Sequence, residues 1–303
     1  MSTTYLEAIR EGLLEEMERD PNVFCIGEDI GEYGGAFKVT AGFLERFGAR
    51  RVVDTPISEA AIVGASIGAS LMGLRPVAEM QFADFITCGF DQIVNFAAKC
   101  RYRWNAPVPI VVRSPSGGGI HGGPFHSQNP EMWFVRTPGL KVVCPATAYD
   151  AKGLIKSAIR DNDPVLYFEH KGLYRKINED LPTEEYTVPI GKAKVVREGR
   201  HLSIITYGAM VWTALEAADK LAGAGASVRK TSKALLLHED TRTGGMAGEL
   251  AATITENVFE YLDGPIVRVT APDTPVPYSP PLEEAFLPNV EKVVEKARWL
   301  YRY

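Results

Sequence analysis

The chain is short of the features that mark several large classes of protein. Only 4 of its 303 residues are cysteine, at Cys25, Cys88, Cys100 and Cys144, and no two stand at CxxC spacing. That excludes a disulfide framework and a thiolate zinc site, and buried free thiols are expected instead. HExxH is absent and the five histidines are scattered, so no metalloprotease centre is expected. Positive charge is not in excess: 33 Lys and Arg stand against 38 Asp and Glu, a net charge of −5. A nucleic-acid partner would need a concentrated basic face, and none is expected here. No window reaches about 18 apolar residues, so no membrane span is expected. The first residues carry Glu7, Glu11, Glu15 and Glu16 in place of a basic, apolar leader, which makes a cytoplasmic location the expectation.

What is present is an alternation of short apolar runs and amphipathic helices. The length is enough for about two domains, each with its own core. Thr4 and Glu7 form a capping box ahead of Leu6, Ile9, Leu13 and Met17, so a helix is expected over residues 4–19. Strands are expected at Val23–Ile26, Pro76–Phe82, Val108–Val112, Lys141–Cys144 and Val165–Phe168, with helices at Ser58–Leu71, Asp84–Trp104 and Ala148–Arg160. A second βα series follows, with strands at Leu202–Thr206, Ala234–Leu237 and Ile266–Thr270. Its helices are expected at Val211–Ala222, Gly245–Asn257 and Val290–Leu300. The fold class is therefore α/β, with two doubly wound parallel-sheet domains. They are expected at residues 1–175 and 201–303, joined by a polar, strand-poor linker over 176–200.

Two formal motif matches lack their structural context. Gly117-Gly118-Gly119-Ile120-His121-Gly122 satisfies GxGxxG, but the next strand ends Val142-Val143-Cys144-Pro145, without the carboxylate that a dinucleotide site needs. Gly64-Ala65-Ser66-Ile67-Gly68 satisfies GxSxG, yet Ser66 falls inside a helical run where a serine hydrolase needs a strand and a sharp turn. In the same helix Ala60, Gly64 and Gly68 form one small-residue stripe, and Ala61, Ala65 and Ala69 another. Internal packing against the sheet and a contact with another subunit both account for it. Glu59 opens this helix, either as a carboxylate complementing the helix dipole or as one held at the mouth of a ligand-binding sheet. His126 ends a loop with glycines at 117, 118, 119, 122 and 123, as a solvated residue or as a general acid/base.

Longer colinear runs carry a more specific signal. These are Asp54-Thr55-Pro56-Ile57-Ser58-Glu59, Gly73-Leu74-Arg75-Pro76, Phe90-Asp91-Gln92, His126-Ser127-Gln128, Tyr149 to Leu154, and Arg268 to Pro275. Together they resemble the β subunit of 2-oxo acid dehydrogenases over nearly the whole chain. The glycine-rich loop before His126, with Arg101-Tyr102-Arg103, is more similar to the branched-chain (2-oxoisovalerate) type than to the pyruvate or acetoin types. A serine hydrolase and a non-catalytic interaction subunit are the alternatives of another class.

The resemblance implies a transketolase-like pyrimidine-binding domain followed by a transketolase C-terminal-like domain. It implies thiamine diphosphate shared with an α subunit, oxidative decarboxylation of a 2-oxo acid, and acyl transfer to the lipoyl group of an acyltransferase core. The α subunit, in an α2β2 heterotetramer, would hold the diphosphate and its Mg2+ through a Gly-Asp-Gly motif, and this chain contains no such motif. Glu59 would hydrogen-bond the aminopyrimidine, and His126 would be the active-site histidine. Glu28, Ile57, Ser58, Gln81, Phe85, Ile86, Thr87 and Cys88 would line the cofactor pocket. Backbone carbonyls near Ile110, Ala158, Asp161 and Asp163 would hold a potassium ion. One departure stands out. The family carries about twenty further residues after Ala224–Ser227, close to one βα unit, where this chain runs from Val228 straight into Arg229. Either the chain lacks that unit or the sequence as read closes over an unseen segment.

Overall fold

Five of the apolar runs pair into one parallel sheet with a sixth strand, Val52–Thr55, that the periodicity did not mark. The computed structural model describes residues 2–221 and 228–303. Its strands are β1 (Ser2–Thr4), β2 (Val23–Glu28), β3 (Val52–Thr55), β4 (Arg75–Glu79), β5 (Val111–Ser116), β6 (Lys141–Val143), β7 (Val165–His170), β8 (Asn178–Asp180), β9 (Ser203–Ile205), β10 (Ala234–Thr241) and β11 (Val267–Ala271). The large sheet has the order β3-β2-β4-β5-β7-β6, and every neighbouring pair is parallel. All six residues of β5 are buried, as expected of a strand covered on both faces. Between β2 and β4 the order of strands reverses. Ligands of open α/β sheets bind at such a switch point, beyond the carboxyl ends of the strands.

The chain divides into two compact units. The first comprises Met1–Ser116 and Trp133–Gly191, the second Gly117–Met132 and Lys192–Tyr303. In the first, the helix Tyr5–Arg19 begins with the anticipated capping box at Thr4 and Glu7. It packs against the helix Ala148–Arg160 so closely that a Cβ on Gly12 would come within 2.6 Å of Ile155 Cγ2. Its glutamates meet a matching row of cations: Glu11 with Lys152 at 3.2 Å, Glu15 with Lys156 at 2.6 Å, Glu16 with Arg160 at 2.6 Å. The second unit holds a three-stranded parallel sheet, β11-β10-β9. Its core runs from Leu202 through Leu235 and Leu237 to Val293 and Leu300.

Several expectations need correction. The segment read as a helix over Asp84–Trp104 is a 3-10 stretch at Ala83–Gly89, a π-helical stretch at Gln92–Ala97 and an α-helix at Ala98–Trp104. Apolar spacing does not distinguish these windings, because each presents a similar stripe over one or two turns. The strand expected at Val108–Val112 runs instead over Val111–Ser116. The polar stretch after residue 176 contains β8, which pairs antiparallel with β1. Three-residue pairings are too short for an alternating pattern. Cys25 and Cys100 are buried, but Cys88 is exposed and Cys144 intermediate. The expected departure at Ala224–Ser227 lies outside the described residues. No helix among the described residues is long and apolar enough to cross a membrane.

Candidate active site

The switch point gathers carboxylates. Glu28 is the last residue of β2, and Glu59 is the first residue of the helix that follows β3. The Ser58 N–H donates to Glu28 Oε1 at 3.4 Å. Burial, and then the neighbouring Glu59 charge, raise the Glu28 carboxyl above its ordinary range. A carboxyl whose affinity for a proton is raised in this way is suited to hold and move one. On the β4 side, Gln81 Nε2 donates to Asp29 Oδ2 at 3.0 Å, so Gln81 joins the group through Asp29. Glu59 is half-buried, and Ile57 projects with 83% of its surface exposed.

The Ala83–Gly89 turn supplies the aromatic side. Phe85 meets Phe82 edge-on at 5.8 Å, and Phe82 meets Phe37 at 5.5 Å. Phe85 is half-buried, with Thr87 and Cys88 exposed beside it. Ile86 is fully buried in the hydrophobic core, so its side chain faces away from that surface. Of the four carbonyls considered for potassium, those of Ile110, Ala158 and Asp161 each accept a hydrogen bond and keep a second lone pair. Ile110 O accepts from Val165 N–H at 3.0 Å and Ala158 O from Asp161 N–H at 3.3 Å. Asp161 O accepts from Arg75 Nη1 at 2.9 Å, its carboxylate pairs with Lys141 at 2.6 Å, and Asp163 pairs with Arg101 at 2.7 Å.

Ser66 is fully buried and its Oγ donates to the Ile62 carbonyl at 2.8 Å. A hydroxyl inside a helix and out of reach of solvent is no hydrolase nucleophile. The small-residue stripes turn out to face away from the sheet. Ala60, Ala61, Ala65 and Gly68 are exposed, and a Cβ on Gly68 would meet nothing within 4 Å. Packing within this chain therefore does not account for them.

His126 lies in the second unit, partly buried, at the end of the 3-10 turn Gly123–Phe125. Behind its loop is an acidic group that sequence reasoning missed: Glu131, Glu239, Asp240 and Glu283. The signal was a charged triplet, His238-Glu239-Asp240, running straight on from the apolar Ala234–Leu237 of one strand. Glu131 is buried and accepts from Tyr207 Oη at 2.8 Å. Burial first, and Asp240 next, push its carboxyl up to about 7. A raised folded-state value leaves stability unaffected below about pH 4, erodes it as pH climbs, and reaches full cost above about 7. Glu131→Gln is thus expected to stabilise the chain at pH 8, by at most about 3 kcal/mol, and to change little near pH 4. Thermal unfolding at the two pH values checks this; equal gains at both would count against it.

Comparison with known proteins shows the family. The transketolase pyrimidine-binding domain family matches residues 1–176, and the transketolase C-terminal domain family matches residues 191–229 and 223–293. The 2-oxoisovalerate dehydrogenase subunit beta of Bacillus subtilis (strain 168) is 49% identical, with 99% of each chain covered. The chain belongs to the β-subunit family of the 2-oxo acid dehydrogenases. Another member of that family, the pyruvate dehydrogenase E1 component subunit beta of the same organism, is 44% identical with 97% of each chain covered. A solved split-gene transketolase, described as an inactive beta4 tetramer, shares the fold at a TM-score of 0.80 and 20% identity. The alignment with the first relative spans 323 residues against 303 in this chain, at least 20 positions that this β-subunit sequence does not fill. The C-terminal family matches in two pieces that meet at residues 223–229, the place where the sequence departs from its family.

Proposed function

We propose that this chain is the aminopyrimidine-holding half of a thiamine-diphosphate enzyme that decarboxylates a 2-oxo acid and passes the acyl group to a lipoyl arm. The observation that carries the reading is the Glu28–Glu59 pair at the carboxyl ends of β2 and β3. Its donor set fits the ring. Glu59 offers a carboxyl group that can share a proton with a ring nitrogen, Phe85 and Ile57 offer apolar surface for a flat face, and the Ser58 N–H donates to Glu28. Bound thiamine diphosphate supplies the carbanion chemistry at its thiazolium carbon, and the protein tunes it. Glu59 would share a proton with the ring nitrogen, with the Glu28 carboxyl as its neighbour. Gln81, Thr87, Cys88 and the Ile86 backbone complete the wall, and His126 guides the substrate and the lipoyl arm. Branched-chain 2-oxo acids are favoured over pyruvate by the higher identity to the 2-oxoisovalerate relative. Mg2+ and the diphosphate belong to an α partner, because this chain has no Gly-Asp-Gly. A potassium ion would be held in this reading by backbone carbonyls near Ile110, Ala158, Asp161 and Asp163, since a carbonyl that accepts one hydrogen bond keeps a second lone pair.

The partner's seat in this reading is the stripe of Ala60, Ala61, Ala65 and Gly68, all exposed, with the half-buried Gly64 among them. Glycine in a helix costs about 1 kcal/mol against alanine, and here the chain's own packing gives no return. Titration calorimetry is expected to show weak binding of thiamine diphosphate to the chain alone. Tight, Mg2+-dependent binding follows when an α-type chain is added. Gly68→Leu should leave the lone chain folded, since nothing lies within 4 Å of its Cβ, and should block assembly. Tight binding without a partner, or normal assembly of the variant, would refute the reading.

A further inference from the structure

We propose that Glu239 and Glu283 are positioning residues that fix the loop presenting His126. The proposal rests on the reading of His126 just given, and its test separates the two. The loop is poor in side chains able to hold it: five of the seven residues from Gly117 to Gly123 are glycine. Of its larger neighbours, Ile120 is 38% exposed and Phe125 63%. Order must therefore come through the backbone, and glycine-rich backbone loses the most entropy on ordering.

Both carboxylates are almost completely buried, and each side chain receives several hydrogens from the loop. Glu239 Oε1 accepts from Gly118 N–H at 2.6 Å and from Asn129 Nδ2 at 3.1 Å. Glu283 accepts from Gly119 N–H on Oε1 and His121 N–H on Oε2, both at 3.1 Å. His121 Nδ1 closes on the same Oε2 at 2.7 Å. An ionised carboxylate is an acceptor only, and so it suits a run of backbone N–H groups converging on one point. The glycines are where this convergence needs them. A Cβ on Gly118 would stand 3.2 Å from Glu283 Oε1 and 3.4 Å from Glu239 Oε1, and one on Gly123 would fall into the Tyr278 ring. His121 adopts φ +59°, a left-handed conformation unusual for a side chain with a Cβ, and it does so with both its backbone N–H and its imidazole on Glu283. Gly117 N–H bonds Gln128 O at 3.1 Å and ties off the base. All of these residues belong to the second unit. The strand carrying Glu239 and the short helix Pro280–Phe286 carrying Glu283 thus grip the loop from its own unit.

The test uses the assembled enzyme with Glu239→Gln, Glu283→Gln and, as a milder variant at a half-exposed side chain, His121→Ala. Amide hydrogen exchange of the peptide covering residues 117–128 reads the clamp directly. Glu239→Gln is expected to speed exchange at Gly118, and Glu283→Gln at Gly119 and His121, each about tenfold, the loss of roughly one charge-assisted hydrogen bond, and His121→Ala less. Acyl transfer to a lipoylated domain is expected to fall about as far, with thiamine diphosphate affinity unchanged. Combined with His126→Ala, Glu283→Gln should cost nothing further, because both act through one residue. A general structural role would instead add to the His126 effect, and that result overturns the proposal. So does unchanged exchange in both Gln variants. Should exchange rise while His126→Ala transfers acyl groups at the normal rate, the clamp stands and the role given to His126 fails.

Discussion

Glu59→Gln is expected to lower decarboxylation by about 10²–10⁴-fold, the range for removing a general acid/base, at saturating thiamine diphosphate and with the fold intact. Gln keeps the shape of Glu but holds no exchangeable carboxyl proton and carries no charge. Under the plain dipole reading of a carboxylate in a first helical turn, the change costs about 0.3–1 kcal/mol of stability and no specific activity. The two readings therefore differ by orders of magnitude in one assay. A second readout needs no turnover: Glu28 is raised in part by the Glu59 charge. Neutralising Glu59 should let the Glu28 carboxyl titrate closer to its ordinary range, measurable by carboxyl NMR. Retention of most activity by the variant would remove Glu59 from the site.

Replacing Arg113 by Leu is expected to destabilise the first unit by about 3–5 kcal/mol, the cost of leaving buried charge uncompensated. Arg113 is the largest fully buried side chain. It bridges neighbouring strands, pairing with Glu79 on β4 and with both oxygens of Glu169 on β7, the second contact at 2.9 Å. Tyr174 Oη donates to the same Glu169 oxygen at 2.8 Å. Without the guanidinium, two buried carboxylates face each other. Burial already pushes the Glu79 carboxyl upward, and Glu169 adds to it. With its counter-charge gone, the Glu79 carboxyl takes up a proton more readily in the folded state, so the deficit should shrink as pH falls towards 5 and grow above 7. Urea unfolding at both pH values checks this. A deficit under 1 kcal/mol at pH 8 would mean the network is dispensable. The triple replacement Arg113→Leu, Glu79→Gln and Glu169→Gln should recover much of the loss, since removing a buried network whole costs far less than halving it.

The parts of the fold that were legible in the sequence are those that bury a periodic face. The helix Tyr5–Arg19 was marked by its capping box, the helix Ala148–Arg160 by its apolar stripe, and β2, β4 and β7 by short apolar runs between turns. The 3-10 and π stretches between Ala83 and Ala97 were not legible, because winding depends on contacts made after folding. Nor was β8, a polar triplet that becomes a strand only when Ser2–Thr4 lies beside it. The place of Glu59 at the head of a helix was legible because it lies in a recognisable run. The direction in which its helix turns the small-residue stripe was not, since periodicity identifies a face without saying what it meets. Glu239 and Glu283 are 44 residues apart in sequence and more than a hundred from the loop they hold. Only the folded second unit brings them together.

The outward-facing stripe also bears on how such a chain must be made. Ile57 and Met72, each more than four-fifths exposed, bracket the flat run of alanines and glycines, and together they form an uncovered apolar strip along one helix. A chain emerging from the ribosome with this strip bare is open to wrong encounters, including with other copies of itself, until a cover arrives. Synthesis in step with that cover would then matter as much as the sequence's own stability. Surplus copies would be the ones lost first to proteases and aggregates.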